Sequence, residues 1–243
     1  MTGIYKIADK IIEINSINSE VHALCADYRF DGTPDFSIEI CQENIDFERK
    51  KSADEDIYEG HEIRHFPDSY LETLAVYRKI ADKMLEYDTI LFHGSVVAVD
   101  NQAFLFTAKS GTGKSTHTKL WREYFGDRAV MVNDDKPLIH VSENGVKVFG
   151  TPWDGKHRIS TNISVPLKAV CILERAEENH IEKISSKSAY AMLMQQIYRP
   201  LNPALMMSTL KLVDKLSQNT GLYRLGCNIS TEAVEIAYNG MKG

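Results

Sequence analysis

The sequence predicts an α/β fold: a mixed β-sheet with flanking helices, preceded by a small β-rich unit. Three observations predict it. After residue 68, short apolar runs are interleaved with longer stretches whose apolar residues recur every three or four positions, the signatures of strand and helix. Asp100-Asn101 separates two of the apolar runs at hairpin distance, so the sheet is not purely parallel. The first third carries only short strand-like runs broken by turn formers such as Asp31-Gly32-Thr33-Pro34.

In that first unit, residues 1–67, short strands are expected around Ile4, Ile7, Ile11, Ile12 and Ile14, then over 22–30, 36–40 and 45–47. Residues 50–60 are charged and poor in apolar side chains, which reads as a loop or hairpin tip. Asp68 or Ser69 can cap a helix over 70–86, with Leu71, Leu74, Ala75, Tyr77, Ile80, Ala81, Met84 and Leu85 on its buried face. That helix opens the second unit, 68–243. Strands follow at 89–99 and 103–107, then at 129–132, 137–141, 146–149 and 167–173. Helices are expected over 186–198, 203–217 and 230–241, with a last strand at 223–225. No internal repeat or low-complexity segment is present.

Residues 104–118 read FLFTAKSGTGKSTHT, an apolar run, a glycine-punctuated turn, a lysine with hydroxyl residues behind it, and a helix-forming stretch. This is the composition of a phosphate-binding loop. Gly111 and Gly113 leave no Cβ in the way and reach backbone angles closed to other residues, so successive N–H groups can curl around a polyphosphate. Lys114 supplies a mobile charge for the outer phosphates, and the Ser115 hydroxyl suits a magnesium ion. The helix beginning there turns its positive end toward the same anion. The common pattern G-x-x-x-x-G-K-[ST] begins with glycine where this chain has Ala108. Even with alanine admitted, such a string arises by chance in roughly two per cent of chains this long.

Asp134 and Asp135 end an apolar run about twenty residues beyond the loop. Neighbouring residues of an extended strand point in opposite directions, so one carboxylate can face a metal while the other reaches toward an acceptor. His93, in Phe92-His93-Gly94-Ser95, is on spacing alone a hydrogen-bonded core residue or a site residue. The segment 151–158 combines a proline-stiffened aromatic turn with Lys156, His157 and Arg158; it is either a carrier of cations to a transferring phosphoryl group or a structural turn whose tryptophan packs inward. His117, one turn into the helix after the loop, suits packing better than chemistry. No metal site rests on His61 and His65.

The chain has 243 residues, 43% hydrophobic and 26% charged, enough for one large domain or two small ones. A formal charge of −6 offers no basic excess for nucleic acid or a membrane surface. Cys25, Cys41, Cys171 and Cys227 show no metal spacing and read as buried free thiols. The N-terminus lacks a basic start followed by an apolar core, so a reducing cytoplasm is the expected compartment.

In order, His93-Gly94, the run from Ser110 to Thr116 and Asp134-Asp135 resemble the nucleotide core shared by HPr serine kinase/phosphorylase and ATP-dependent phosphoenolpyruvate carboxykinase. The resemblance spans about residues 91–173. The FGTPWDGK segment is also similar to one found in uncharacterised bacterial HPr-kinase-like proteins, some of which accompany peptide-modification genes. The chain departs from the HPr kinase pattern at Ala108 and lacks a glycine- and arginine-rich signature after the aspartates; for a carboxykinase it is too short. The resemblance implies a mixed-sheet core of the HPr kinase/carboxykinase type using ATP and Mg2+. It implies nucleotide contacts from Ser110, Gly111, Thr112, Gly113, Lys114, Ser115 and Thr116, with metal ligation by Ser115 and Asp135. Asp134 would take the acceptor's proton, the exchanged assignment staying open, with Lys114 on the β- and γ-phosphates, His93 near the metal or γ-phosphate, and Lys156 and Arg158 stabilising charge. The implied reaction is phosphorylation of a hydroxyl on a peptide, protein or small molecule. A nucleotide-sensing module and, more remotely, a carboxykinase-type lyase are the alternatives. A homo-oligomer is compatible with the sequence, which specifies neither ring nor dimer.

Overall fold

The computed structural model describes residues 1–109 and 111–243 and divides into two compact units, Met1–Lys83 and Met84–Gly243. Among the described residues it contains twelve strands and seven α-helices.

The first unit is mixed rather than mainly β. Strands β1 (Thr2–Ile7) and β2 (Lys10–Asn15) form an antiparallel hairpin whose turn residues, Ala8 and Asp9, both take positive φ; β3 (Phe36–Glu39) adds in parallel to β2. Helix α1 (Glu20–Leu24) occupies part of the expected strand at 22–30.

The larger correction is α2 (Gln42–Glu59), an 18-residue helix where a short strand and a charged loop were expected. Its inward residues include Ile45, Glu48 and Asp56, so two of the buried positions are carboxylates and the apolar periodicity is absent. Each has a fixed cation. Glu48 is paired with Arg78, and Asp56 accepts from the Arg64 backbone N–H at 2.8 Å and from its guanidinium at 2.6 and 2.9 Å. Outward charges at helical spacing, such as Lys51 and Glu55 at 3.7 Å, add support, and Gly60 ends the helix in the left-handed conformation.

Helix α3 (Asp68–Met84) buries Leu71, Ala75, Tyr77, Ile80, Ala81 and Met84 as expected. It belongs to the first unit rather than heading the second, so the division falls at 83/84 instead of 67/68. The physical reason lies in its polar anchors. The buried Glu72 carboxylate accepts the backbone N–H groups of Ile17 and Asn18 at 2.6 and 2.8 Å, and Arg78 reaches Glu48 on α2.

The second unit is built on a curled nine-stranded mixed sheet. The apolar run at 89–99 is two strands, β4 (Thr89–Leu91) and β5 (Ser95–Val99), interrupted at Phe92-His93-Gly94. The break lets each half choose a different neighbour: β4 pairs with β8 (Leu138–Ser142), and β5 with β6 (Gln102–Thr107) and β7 (Ala129–Asn133). The β5–β6 turn is the expected one, with φ of 49° at Asp100 and 60° at Asn101. After β8, β9 (Gly145–Phe149) leads to the twelve-residue β10 (Ser164–Arg175). The start of β10 pairs antiparallel with β9; its remainder lies parallel to β6 on one side and to β12 (Gly221–Cys227) on the other, with β11 (His180–Lys183) beyond. Since β5 runs antiparallel to both β6 and β7, strands β6, β7, β10 and β12 all point the same way.

Both faces of the sheet are covered, which is why its central strands read as continuous apolar runs. Val96, Ala98, Ala103, Leu105, Val170 and Ile172 join the cluster containing α5 (Ser186–Gln196) and α6 (Pro203–Asn219). Their sequence neighbours Val97, Val99, Phe104, Phe106, Cys171 and Leu173 face α4 (Lys114–Phe125) and α7 (Thr231–Met241). Helices α5, α6 and α7 start at side-chain caps from Ser185, Asn202 and Ser230. Cys25 and Cys171 are buried, Cys227 is intermediate, and Cys41 is exposed rather than buried because it sits at the start of α2. No helix among the described residues is long and apolar enough to cross a membrane.

Candidate functional site

At the carboxyl ends of β6 and β7 the sheet meets the first turn of α4. Residues 108–113 make the crossing from β6 to the helix. Ala108, at the position that is glycine in the common pattern, is buried in the core cluster with Phe104, Phe106 and Trp121. Gly111 and Gly113 have φ of 75° and 115°, and apart from their chain neighbours and the helix's own backbone no described atom lies within 4 Å of a Cβ built on either, so both positions face open space. Gly113 caps α4, whose first bond runs from the His117 N–H to the Gly113 carbonyl at 2.9 Å. Thr112 and Lys114 are partly exposed at the helix start, and Ser115 and Thr116 are exposed. Ser110 lies outside the described residues. Lys114 Nζ donates to the Ala108 carbonyl at 3.2 Å. Burial lowers the Lys114 pKa, opposed by the attraction of Asp135 and Asp134, so both carboxylates lie within electrostatic reach of the ammonium.

The two aspartates have different surroundings. Asp134 is buried, and its Oδ1 accepts from Ser95 Oγ at 2.6 Å; Ser95 Oγ also lies 2.8 Å from Thr118 Oγ1, one turn along α4 from Ser115. A Cβ added to Gly155 would come within 3.2 Å of Asp134 Oδ2, so the 151–158 loop runs directly against this carboxylate. Asp135 is more open, and its Oδ1 lies 3.3 Å from His93 Nε2. Burial raises its pKa, but the His93 hydrogen bond and the Lys136, His93 and Lys114 charges outweigh that effect and hold the carboxyl below its usual value. His93 stands at the β4/β5 break, its N–H bonded to the Gln196 carbonyl at 2.6 Å. The next residue, Gly94, donates to the Asp135 carbonyl at 2.9 Å, fixing histidine and aspartate in one local frame.

Sequence reading passed over the residue that shapes this turn. Asn133 is fully buried: its Oδ1 accepts the N–H groups of Asp135 and Lys136 at 2.9 and 2.7 Å, and its Nδ2 reaches Thr151 Oγ1 at 3.1 Å. Thr151 Oγ1 in turn donates to the Lys136 carbonyl at 2.9 Å. The aspartate turn and the Thr-Pro-Trp turn are therefore one hydrogen-bonded body, with Trp153 buried inside it. A polar residue ending an otherwise apolar strand was the signal for Asn133. Arg175, at the end of β10, was also missed; its Nη2 donates to the Gly111 carbonyl at 2.6 Å. Lys156 and Arg158 are exposed; Arg158 takes φ of 47° and makes no ion pair among the described residues, so it is not brought to the aspartates. His117 is a core residue, accepting from Trp121 Nε1 at 3.0 Å, with burial lowering its pKa to about 4.

Residues 63–228 match the family model described as SynChlorMet cassette protein ScmC, and the chain belongs to that family. The matched span contains every site residue named above and leaves out β1–β3 and α2. The family description names a cassette protein and no reaction. No curated protein matches. Among solved structures, the Hpr(Ser) kinase/phosphatase from Coxiella burnetii is similar at 11% identity and a TM-score of 0.33, over 63% of this chain and 99% of that one. A likeness of that size describes neither the chemistry nor the substrate of this chain.

Proposed function

We propose that the chain is an ATP- and magnesium-dependent phosphotransferase acting on a hydroxyl of a peptide, protein or small molecule. One observation carries the reading: an open glycine turn leading into a helix at Lys114 shares the carboxyl end of the sheet with two adjacent carboxylates held in unlike environments. Lys114 is partly exposed and lies within electrostatic reach of both carboxylates, which supports the reading.

The residues fit the groups this chemistry needs. Ser115 and an aspartate offer hard oxygen ligands, and the rest of a magnesium shell would come from phosphate and water. They would hold the ion, which when bound neutralises charge on the phosphates. Burial and pairing favour the exchange of the roles carried over by position. Asp134, fixed by Ser95 beside the α4 face that carries Thr118, suits the metal side. Asp135, more open and paired with His93, suits acceptance of the acceptor's proton. Lys114 would leave the Ala108 carbonyl for the phosphates, and the free N–H groups of the first turn of α4 would receive them.

The test is incubation with γ-labelled ATP, magnesium and a lysate of the native host, followed by identification of the labelled species. Label is expected on a hydroxyl, and it should disappear with Asp135→Asn while nucleotide affinity is kept. Nucleotide binding with no labelled acceptor would replace the kinase by a sensor.

A further inference from the structure

The α2 helix presents a face that the proposed reaction does not use. Phe47, Lys50, Lys51, Asp54, Glu55 and Tyr58 line a surface groove of about 470 Å³ along it. Their spacing of three and four residues puts them on a single stripe. Tyr58 is 92% exposed and the neighbouring Ile57 62%, an open aromatic and apolar end that a solitary helix gains nothing by displaying.

The stripe reads aromatic, two cations, two anions, aromatic. That order is its own complement. A two-fold axis crossing the helix midway between Ser52 and Ala53 sets Phe47 opposite Tyr58 of a second copy, Lys50 opposite Glu55 and Lys51 opposite Asp54. We propose that α2 pairs antiparallel with α2 of a second copy of this chain, forming a two-fold dimer with four ion pairs between two aromatic contacts.

Other occupants fit less well. A helix of uniform charge is repelled by one half of the stripe, and an apolar helix strips water from four charges without pairing them. Only a partner with the reversed charge order matches both halves, and the antiparallel copy supplies it while also opposing the two helix dipoles. The existing contacts allow the exchange. Lys51 and Glu55 now meet each other at 3.7 Å but stay 49% and 64% exposed. Arg78 covers one face of the Phe47 ring at 4.4 Å and leaves the ring partly exposed. At the rim Glu59 approaches Asp46 of the second copy, yet Asp46 already has Arg49 at 3.3 Å and Glu59 has His61 at 3.4 Å. A pair of 18-residue helices is about 27 Å long, a small interface, so the association is weak and sensitive to salt.

Sedimentation velocity of the full chain across concentration, in 50 mM and 500 mM NaCl, reads this directly. A reversible dimer is expected at low salt, weakening about tenfold or more at high salt. Lys50→Glu with Lys51→Glu, and separately Asp54→Lys with Glu55→Lys, should each give monomers, while an equimolar mixture of the two variants should give a heterodimer. Tyr58→Ser, at a position too exposed to matter for folding, should weaken the wild-type dimer. A monomeric wild type at low salt, a dimer indifferent to these charges, or a mixture that stays monomeric would overturn the proposal.

Discussion

Removing the Ser95 hydroxyl tests the internal wiring of the site. Ser95, Thr118 and Asp134 are all buried, and Ser95 Oγ is the donor 2.6 Å from Asp134 Oδ1. Thr118 does not become an orphan in Ser95→Ala, because its Oγ1 keeps the carbonyls of Lys114 and Ser115 at 3.3 Å each. The loss is therefore one charge-assisted hydrogen bond with only a hydroxyl-sized void, about 1.5–3 kcal/mol. Urea unfolding with an unchanged slope should report that value, and nucleotide affinity should fall with it as Asp134 loses its fixed position. Thr118→Val should cost less, about 1 kcal/mol, since it removes only neutral contacts. A Ser95→Ala loss below about 0.5 kcal/mol would show that the hydroxyl does not hold the carboxylate.

Three further outcomes follow from the geometry. His117 has a folded pKa of about 4 against 6.5 unfolded, so its contribution is full above pH 6.5 and is lost as pH falls toward about 4. That amounts to about 3 kcal/mol, and His117→Gln should flatten this part of the pH–stability curve; an unchanged slope would count against the buried neutral imidazole. Gly150→Ala would drive a Cβ to 1.9 Å from the Thr161 carbonyl oxygen and 2.7 Å from that of Val132, so thermal unfolding should show a loss of about 3 kcal/mol or no folded protein, whereas Gly113→Ala, strained only by its φ of 115°, should cost about 1–2 kcal/mol. Asn133→Leu strands the N–H groups of Asp135 and Lys136 and should cost about 3 kcal/mol in urea, with transfer activity lost beyond what the unfolded fraction explains.

Local chemistry was legible in the sequence where a short segment determines its own conformation. The Asp100-Asn101 hairpin, the turn at Gly111 and Gly113 and the apolar stripe of α3 all depend on residues within a few positions of one another. Helix α2 was not legible because its buried face uses Glu48 and Asp56, whose partners Arg78 and Arg64 lie 30 and 8 residues away. The β4/β5 break was hidden for a related reason: nothing local distinguishes one long strand from two that pair with β8 and β6. In the site, Lys114, Asp134, Asp135 and His93 could be named from their motifs. Arg175 could not, since its contact with the Gly111 carbonyl spans 64 residues; Asn133 left only the signal of a polar residue ending an apolar strand, and the carboxylate that Ser95 holds lies 39 residues away. Arg158 carried the right charge, but its side chain stands on an exposed turn.

The central claim is that the backbone between Ala108 and Ser115, with Lys114 and an aspartate-held magnesium ion, receives the phosphates of a nucleoside triphosphate. Titration calorimetry of the full chain with magnesium and ATP tests it most directly. Association is expected for the wild type, and Lys114→Ala should abolish it while the thermal transition stays in place. No association of the wild type with ATP or GTP, or equal binding by Lys114→Ala, would contradict it.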